Sequence, residues 1–168
     1  MSKSILVIDD DRLIRVQMSD SLQEKGYDVT MAEDAERGLD ILRTRNFDLV
    51  ILDIILPGMS GIEAISKMKE IDPDTIIIMI TGHGSNKLAM EAIDAGAYDY
   101  FTKPIKMDEM EIMIKRALEK RRLEKELVSL REKLKSKYEF ERIIGKSGAM
   151  QEVFESINKV VGTDITVL

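Results

Sequence analysis

Carboxylates, a hydroxyl and an amine fall at the ends of regularly spaced apolar runs in this chain. Asp9, Asp10 and Asp11 close the first run, SILVID (Ser4–Asp9). Asp53 follows the third run, DLVIL, and Thr81 follows the fourth, TIIIMI. Lys103 lies two residues beyond the fifth, YDYF. Acids gathered from two strand ends repel one another, and their pKa values rise unless a cation stands among them. With no Cys in the chain and no His beside these acids, the donors are all oxygen, which suits a hard ion such as Mg2+ completed by water. Lys103 would offset part of the negative charge.

These residues meet only if the runs are neighbouring strands. Five runs occur in the first hundred residues: Ser4–Asp9, Tyr27–Met31, Asp48–Leu52, Thr75–Ile80 and Tyr98–Phe101. Between them lie segments of helical periodicity, marked by Leu13, Val16, Met18 and Leu22, by Ala35, Leu39, Ile41 and Leu42, by Ile62, Ile65, Met68 and Ile71, and by Ala89, Ala92, Ile93 and Ala95. Gly26 and Gly96 stand where helices must end. Strands alternating with helices predict a doubly wound, parallel (βα)5 sheet of the α/β class. In such a sheet, ligands collect at the carboxyl ends of the strands, where these polar residues lie. The second run ends in Met31-Ala32 and brings nothing polar to that rim.

Composition narrows the function classes. The 168 residues are 44% apolar and 33% charged with net charge −6, enough apolar matter for a core. The absence of cysteine excludes a disulfide scaffold, thiolate metal sites and a cysteine nucleophile, and is compatible with a reducing cytoplasm. No apolar run approaches the ~18 residues of a membrane span, and MSKSILVIDD is not a signal peptide. Residues 1–106 carry net charge −7, which argues against a grip on nucleic acid. Residues 107–137 carry +3, but their Lys and Arg alternate with Glu, as on a solvated helix.

That basic segment, Met107 to about Lys137, has no Gly or Pro. Met110, Ile114, Ala117 and Leu118 form a stripe for the sheet; Leu123, Leu127, Leu130 and Leu134 then follow 4-3-4 spacing, a short coiled-coil seam. An exposed leucine seam on a single helix predicts a partner, with a second copy of the chain as the first expectation.

The motifs VIDDD (Val7–Asp11), VILDIILPGMSGIE (Val50–Glu63), ITGHGS (Ile80–Ser85), AGAYDY (Ala95–Tyr100) and TKP (Thr102–Pro104) together resemble the receiver domain of two-component response regulators. The resemblance covers residue 4 to about 120. It implies Asp53 as phosphoacceptor, Asp9 and Asp10 as the acidic pair for Mg2+ (Asp10 directly), and the Ile55 carbonyl as a backbone ligand. It further implies Thr81 as switch hydroxyl, Tyr100 as switch aromatic, Lys103 as the partner of the phosphoryl group, and a cis bond before Pro104. A sensor histidine kinase is the implied donor, and the implied location is the cytoplasm. The product would be a signalling switch with self-dephosphorylation rather than an enzyme. Lys106 departs from the family, where an Asp often opens the last helix; Asp108 is expected to cap it instead.

IIGKSGAMQEVFESINKVVGTDITVL (Ile143–Leu168) resembles the opening of the AAA+ domain of NtrC-like, sigma-54-dependent activators. The expected organisation is a receiver over 1–120, a coiled-coil linker over 121–138 and the start of an AAA+ domain over 139–168. Within the last segment, Ala149–Val161 reads as a helix and Ile165–Leu168 as a strand start. Gly145-Lys146-Ser147 is not a phosphate-binding loop, because the Gly that GxxxxGK[ST] needs at position 140 is Phe140. His83, the only histidine, supplies no metal cluster. An alternative is a phosphohydrolase with an aspartyl nucleophile, for which Asp9 and Asp11 have the right spacing; another is a degenerate receiver serving only in dimerisation.

Overall fold

The computed structural model describes residues 2–82 and 86–143. Its elements are β1 (Ser4–Ile8), α1 (Arg12–Glu24), β2 (Asp28–Ala32), α2 (Ala35–Thr44), β3 (Leu49–Asp53), α3 (Gly61–Ile71), β4 (Ile76–Thr81), α4 (Asn86–Asp94), β5 (Asp99–Thr102) and α5 (Met107–Ile143). The sheet order is β2-β1-β3-β4-β5, parallel throughout. The expected doubly wound (βα)5 sheet is therefore observed. The chain divides into two compact units, Met1–Arg122 and Leu123–Leu168.

In the first unit, alternate strand residues feed two cores. Leu6, Ile8, Val50, Leu52, Ile77 and Met79 pack beneath α2, α3 and α4. Ile5, Val7, Leu49, Ile51, Ile78 and Ile80 pack against Met18 and Leu22 of α1 and Met110, Ile114 and Ala117 of α5. The central strands are covered on both faces, hence their near-continuous Ile, Leu and Val. Each buried aliphatic side chain contributes about 1.5–3 kcal/mol of transfer free energy.

The helix ends follow local chemistry. Asp11, Asp34 and Ser60 cap α1, α2 and α3, and Ser60 forms a reciprocal capping box with Glu63. Gly26 and Gly96 have φ of +87° and +109°, values that suit glycine at a helix exit. Gly61 is needed for another reason: a Cβ there would stand 2.1 Å from the Asp53 carbonyl oxygen, so only glycine lets α3 start directly against the end of β3.

Several expectations need correction. Leu13 and Val16 are exposed (80% and 40%); the buried stripe of α1 is Met18, Ser19 and Leu22, with Ile14 partly covered. The i, i+4, i+8 series Ile14-Met18-Leu22 is the one that keeps to a single face. The last four strands start one residue later than their apolar runs and end one residue later. Backbone pairing tolerates a polar side chain, so Asp53, Thr81 and Thr102 remain in the sheet. Asp108 does not cap α5; it lies within the first turn with its side chain almost fully exposed, and Lys106 precedes the helix, paired with Glu109 at 2.9 Å. The helix also runs past Lys137 to Ile143, since 138–143 contain no Gly or Pro. His83, the Gly145-Lys146-Ser147 triplet and the expected elements over 149–168 lie outside the described residues.

Candidate functional site

The order β2-β1-β3 places the reversal of strand order between β1 and β3, and Asp9 and Asp53 stand at the tips of those two strands. Carboxylate oxygens of Asp9, Asp10 and Asp53 all lie within 4.8 Å of one another. Asp9 is wholly buried, Asp53 is 4% exposed and Asp10 is open to solvent. Lys103 enters from the turn after β5, its Nζ 2.5 Å from Asp53 Oδ2 and 3.0 Å from Asp9 Oδ2. The peptide bond before Pro104 is cis, as the resemblance implies.

Each acid is held differently. Asp9 Oδ1 accepts the Asp11 N–H at 2.8 Å; Oδ2 is buried, and among the described residues only the Lys103 ammonium reaches it, at 3.0 Å. Asp53 Oδ1 accepts the Ile55 N–H at 2.9 Å, and Oδ2 takes Lys103. Among the described residues, no hydrogen bond or ion pair holds the Asp10 carboxylate. Burial pushes the Asp9 carboxyl above its ordinary pKa; Lys103 and the Asp11 N–H pull it down, the Asp53 charge pushes it up, and the net direction is upward. Burial would lower the Lys103 pKa, but its bonds to Asp53 and Asp9 prevail and raise it.

Three carboxylates face one ammonium, which leaves two formal negative charges in a partly buried pocket. A divalent cation with oxygen preference matches that deficit, and the donor set is all oxygen. The residues present therefore fit Mg2+. The same geometry bears on Asp11, whose side chain accepts the Leu13 and Ile14 N–H groups as the N-cap of α1. One oxygen of Asp11 is thus committed to capping the helix, which weighs against its service as the second aspartate of the phosphohydrolase reading.

Thr81 is buried as the last residue of β4, one step past the Asp53–Ile80 pair, and its carbonyl accepts the Lys103 N–H at 2.8 Å. Tyr100, paired with Met79, packs half-buried on the core beneath α2–α4. The Ile55 side chain is 66% exposed. Lys103 also borders an open groove of about 270 Å3 that it shares with Ile14, Gln17, Met18, Pro104 and Ile105. Sequence reasoning passed over Arg15, whose guanidinium Nη1 donates to the Asp9 carbonyl at 2.5 Å. A basic residue on an amphipathic helix carries no signal of such a contact; only its one-turn offset from Asp11 hinted at it.

A doubly wound sheet with acids at its switch point and a lysine opposite them defines a small α/β domain with a candidate cation site. The chain matches the family described as response regulator receiver domain over residues 5–115, and it belongs to that family. Receiver domains of this family are signalling switches phosphorylated on an aspartate by a sensor histidine kinase, and they bind Mg2+ at an acidic cluster. The C4-dicarboxylate transport transcriptional regulatory protein DctD of Rhizobium meliloti is 36% identical over 165 residues, 98% of this chain and 36% of that protein. Sporulation initiation phosphotransferase F of Bacillus subtilis is 35% identical over 118 residues, 70% of this chain and 95% of that protein. The crystal structure of NtrX from Brucella abortus superposes with a TM-score of 0.75 at 34% identity, covering 97% of this chain and 35% of that one. The chain thus spans about a third of the length of DctD and NtrX. No helix among the described residues is long and apolar enough to cross a membrane.

Proposed function

We propose that this chain takes a phosphoryl group on Asp53 from the phosphohistidine of a sensor kinase, using Mg2+ held by Asp9, Asp10, Asp53 and the Ile55 carbonyl. Asp10, open and untethered, is suited to direct ligation, whereas both oxygens of Asp9 are already engaged. Bound there, Mg2+ would neutralise charge on the phosphoryl oxygens as the group moves in line. An oxygen of Asp53 attacks phosphorus, the P–N bond breaks, and its electron pair returns to the imidazole, which takes up a proton. Lys103 then shifts from the carboxylate pair toward the new dianion. Hydrolysis of the acyl phosphate resets the switch.

Thr81 would donate its hydroxyl to a phosphoryl oxygen, and Tyr100 would follow the loop after β4, changing the face built by α4, β5 and α5. The groove beside Lys103, together with exposed Leu13 and Val16 of α1, is an apolar landing place for the kinase. Leu123, Leu127, Leu130 and Leu134 are each about half exposed, which supports a linker over 121–138 that pairs with a second copy. In a longer protein, with 1–120 as receiver and 139–168 opening an AAA+ domain, the switch would govern sigma-54-dependent transcription from the cytoplasm.

The observation that carries this reading is the convergence of Lys103 with three carboxylates at the tips of β1 and β3. Incubation with acetyl phosphate and Mg2+ followed by a Phos-tag gel tests it: one shifted band is expected, absent without Mg2+ and absent in Asp53→Ala. An unshifted wild-type chain, or a shift that survives Asp53→Ala, would overturn it.

A further inference from the structure

Asp10 is the exposed member of the acid cluster, and among the described residues nothing grips its carboxylate directly. Its position is therefore set by the backbone that leaves β1. Two contacts fix that backbone from the residue before it. The Asp9 carboxylate accepts the Asp11 N–H at 2.8 Å, and the Asp9 carbonyl accepts Nη1 of Arg15 at 2.5 Å. Arg15 is itself tied down: it lies in the first turns of α1, its own N–H bonded to the Asp11 carbonyl at 3.0 Å, and its side chain is part-buried. The Asp9 carbonyl belongs to the peptide unit whose nitrogen is that of Asp10, so a bond that fixes this carbonyl fixes the direction in which Asp10 leaves the strand.

We propose that Arg15 is a positioning residue for the divalent-cation site: by holding the Asp9 carbonyl, it presents the Asp10 carboxylate toward Asp53. The role rests on the reading of Asp9, Asp10 and Asp53 as a Mg2+ site. In this role Arg15 acts through the backbone, not as a ligand. The work is done by the single bond that Nη1 donates to the Asp9 carbonyl, and the positive charge is incidental to it.

The sign of one measurement separates the two possibilities. Removing a positive charge beside an acidic pocket should tighten cation binding on Coulomb grounds alone. Removing the support of a ligand should weaken it, by roughly tenfold or more. Mg2+ titration of the full chain by calorimetry, on wild type, Arg15→Met and Arg15→Lys, reads that sign directly. The expected result is weaker binding by about tenfold in Arg15→Met and substantial recovery in Arg15→Lys, which keeps a donor. Circular dichroism establishes that each variant is folded; if Arg15→Met is not, Arg15→Leu, which also lacks a donor, takes its place and is expected to bind more weakly than wild type. Binding as tight as wild type, or tighter, in a folded Arg15→Met or Arg15→Leu overturns the role while leaving the cation site intact. A wild-type chain that binds no Mg2+ overturns the site and this role together.

Discussion

The two rims of the sheet bury charge to opposite ends. At the carboxyl rim, Asp9 and Asp53 share the Lys103 ammonium with Asp10 close beside them, three carboxylates to one cation. At the amino rim, Asp48 pairs with Lys3 at 3.0 Å and accepts the Ser4 N–H at 3.0 Å. Nearby, Arg121 donates to the Asp48 carbonyl at 2.7 Å and reaches the Asp72 carboxylate at 3.7 Å. Burial pushes both Asp9 and Asp48 upward in pKa. At Asp48 the Ser4 N–H, Lys3 and Arg121 reverse it, so the carboxyl ends below its ordinary value, whereas Asp9 ends above. The amino-rim carboxylate of Asp48 is satisfied within the chain and serves stability. At the carboxyl rim the Asp9 carboxyl stays above its ordinary pKa, the kind of perturbation that gathers at functional sites.

The largest expected difference between the rims is in Mg2+ affinity. Asp10→Asn or Asp53→Asn should weaken binding by roughly two orders of magnitude, because each removes one of the proposed charged oxygen ligands. Asp48→Asn, which neutralises a carboxylate of the same type on the opposite rim, should leave the affinity unchanged. Calorimetric titration of the three variants checks this. An Asp48 variant that lost Mg2+ would break the contrast.

Stability should show the reverse order. Arg121→Met strips two carbonyls and Asp72 of a donor at the exit of the receiver, while also removing Arg121 Nε, which is buried with no partner among the described residues. A loss of about 1–3 kcal/mol in urea denaturation is expected, with Mg2+ affinity intact. Asp48→Asn weakens a charge-assisted bond to Ser4 and an exposed pair with Lys3, for an expected loss of about 1 kcal/mol.

The carboxyl rim was legible in the sequence and the amino rim was not, for a physical reason. Asp9, Asp53 and Thr81 interrupt runs of β-branched and aliphatic residues, so their type and place stand out against the strands that carry them. Asp48 reads as the polar start of a strand and Arg121 as one more cation on a basic helix. Their meeting is set by how α5 lies on the sheet, which no local pattern encodes. The same limit explains α1, where Leu13 and Val16 look like core by hydropathy. The helix turns the face with Ile14, Met18 and Leu22 inward, because Asp11 as N-cap fixes where the first turn begins. Arg15 escaped notice likewise, since its bond is to a backbone atom.

The smallest expected effect, and the sharpest in sign, is the pH dependence of stability without Mg2+. Asp9 has its folded pKa above the ordinary 3.8, so between that value and its folded pKa the native state binds more protons than the unfolded chain. Stability from this group therefore falls as pH rises through the window, and the deficit persists at neutral pH. Asp48 is the opposite case: with a folded pKa below 3.8, its contribution is present above that value and disappears as pH falls through the folded pKa. Removing each titration should show both signs. Asp9→Asn should be more stable than wild type at pH 7 without Mg2+, and the gain should shrink on acidification as the wild-type Asp9 takes up its proton. Asp48→Asn should be less stable than wild type at pH 7, and that difference too should shrink, at lower pH. Urea midpoints from pH 7 down to pH 3 measure both series, which converge on wild type from opposite sides. Adding Mg2+ at pH 7 should then favour wild type over Asp9→Asn, because ligand that binds only the native site stabilises in proportion to ln(1 + [Mg2+]/Kd). Two curves bending the same way would mean that the two rims are electrostatically alike.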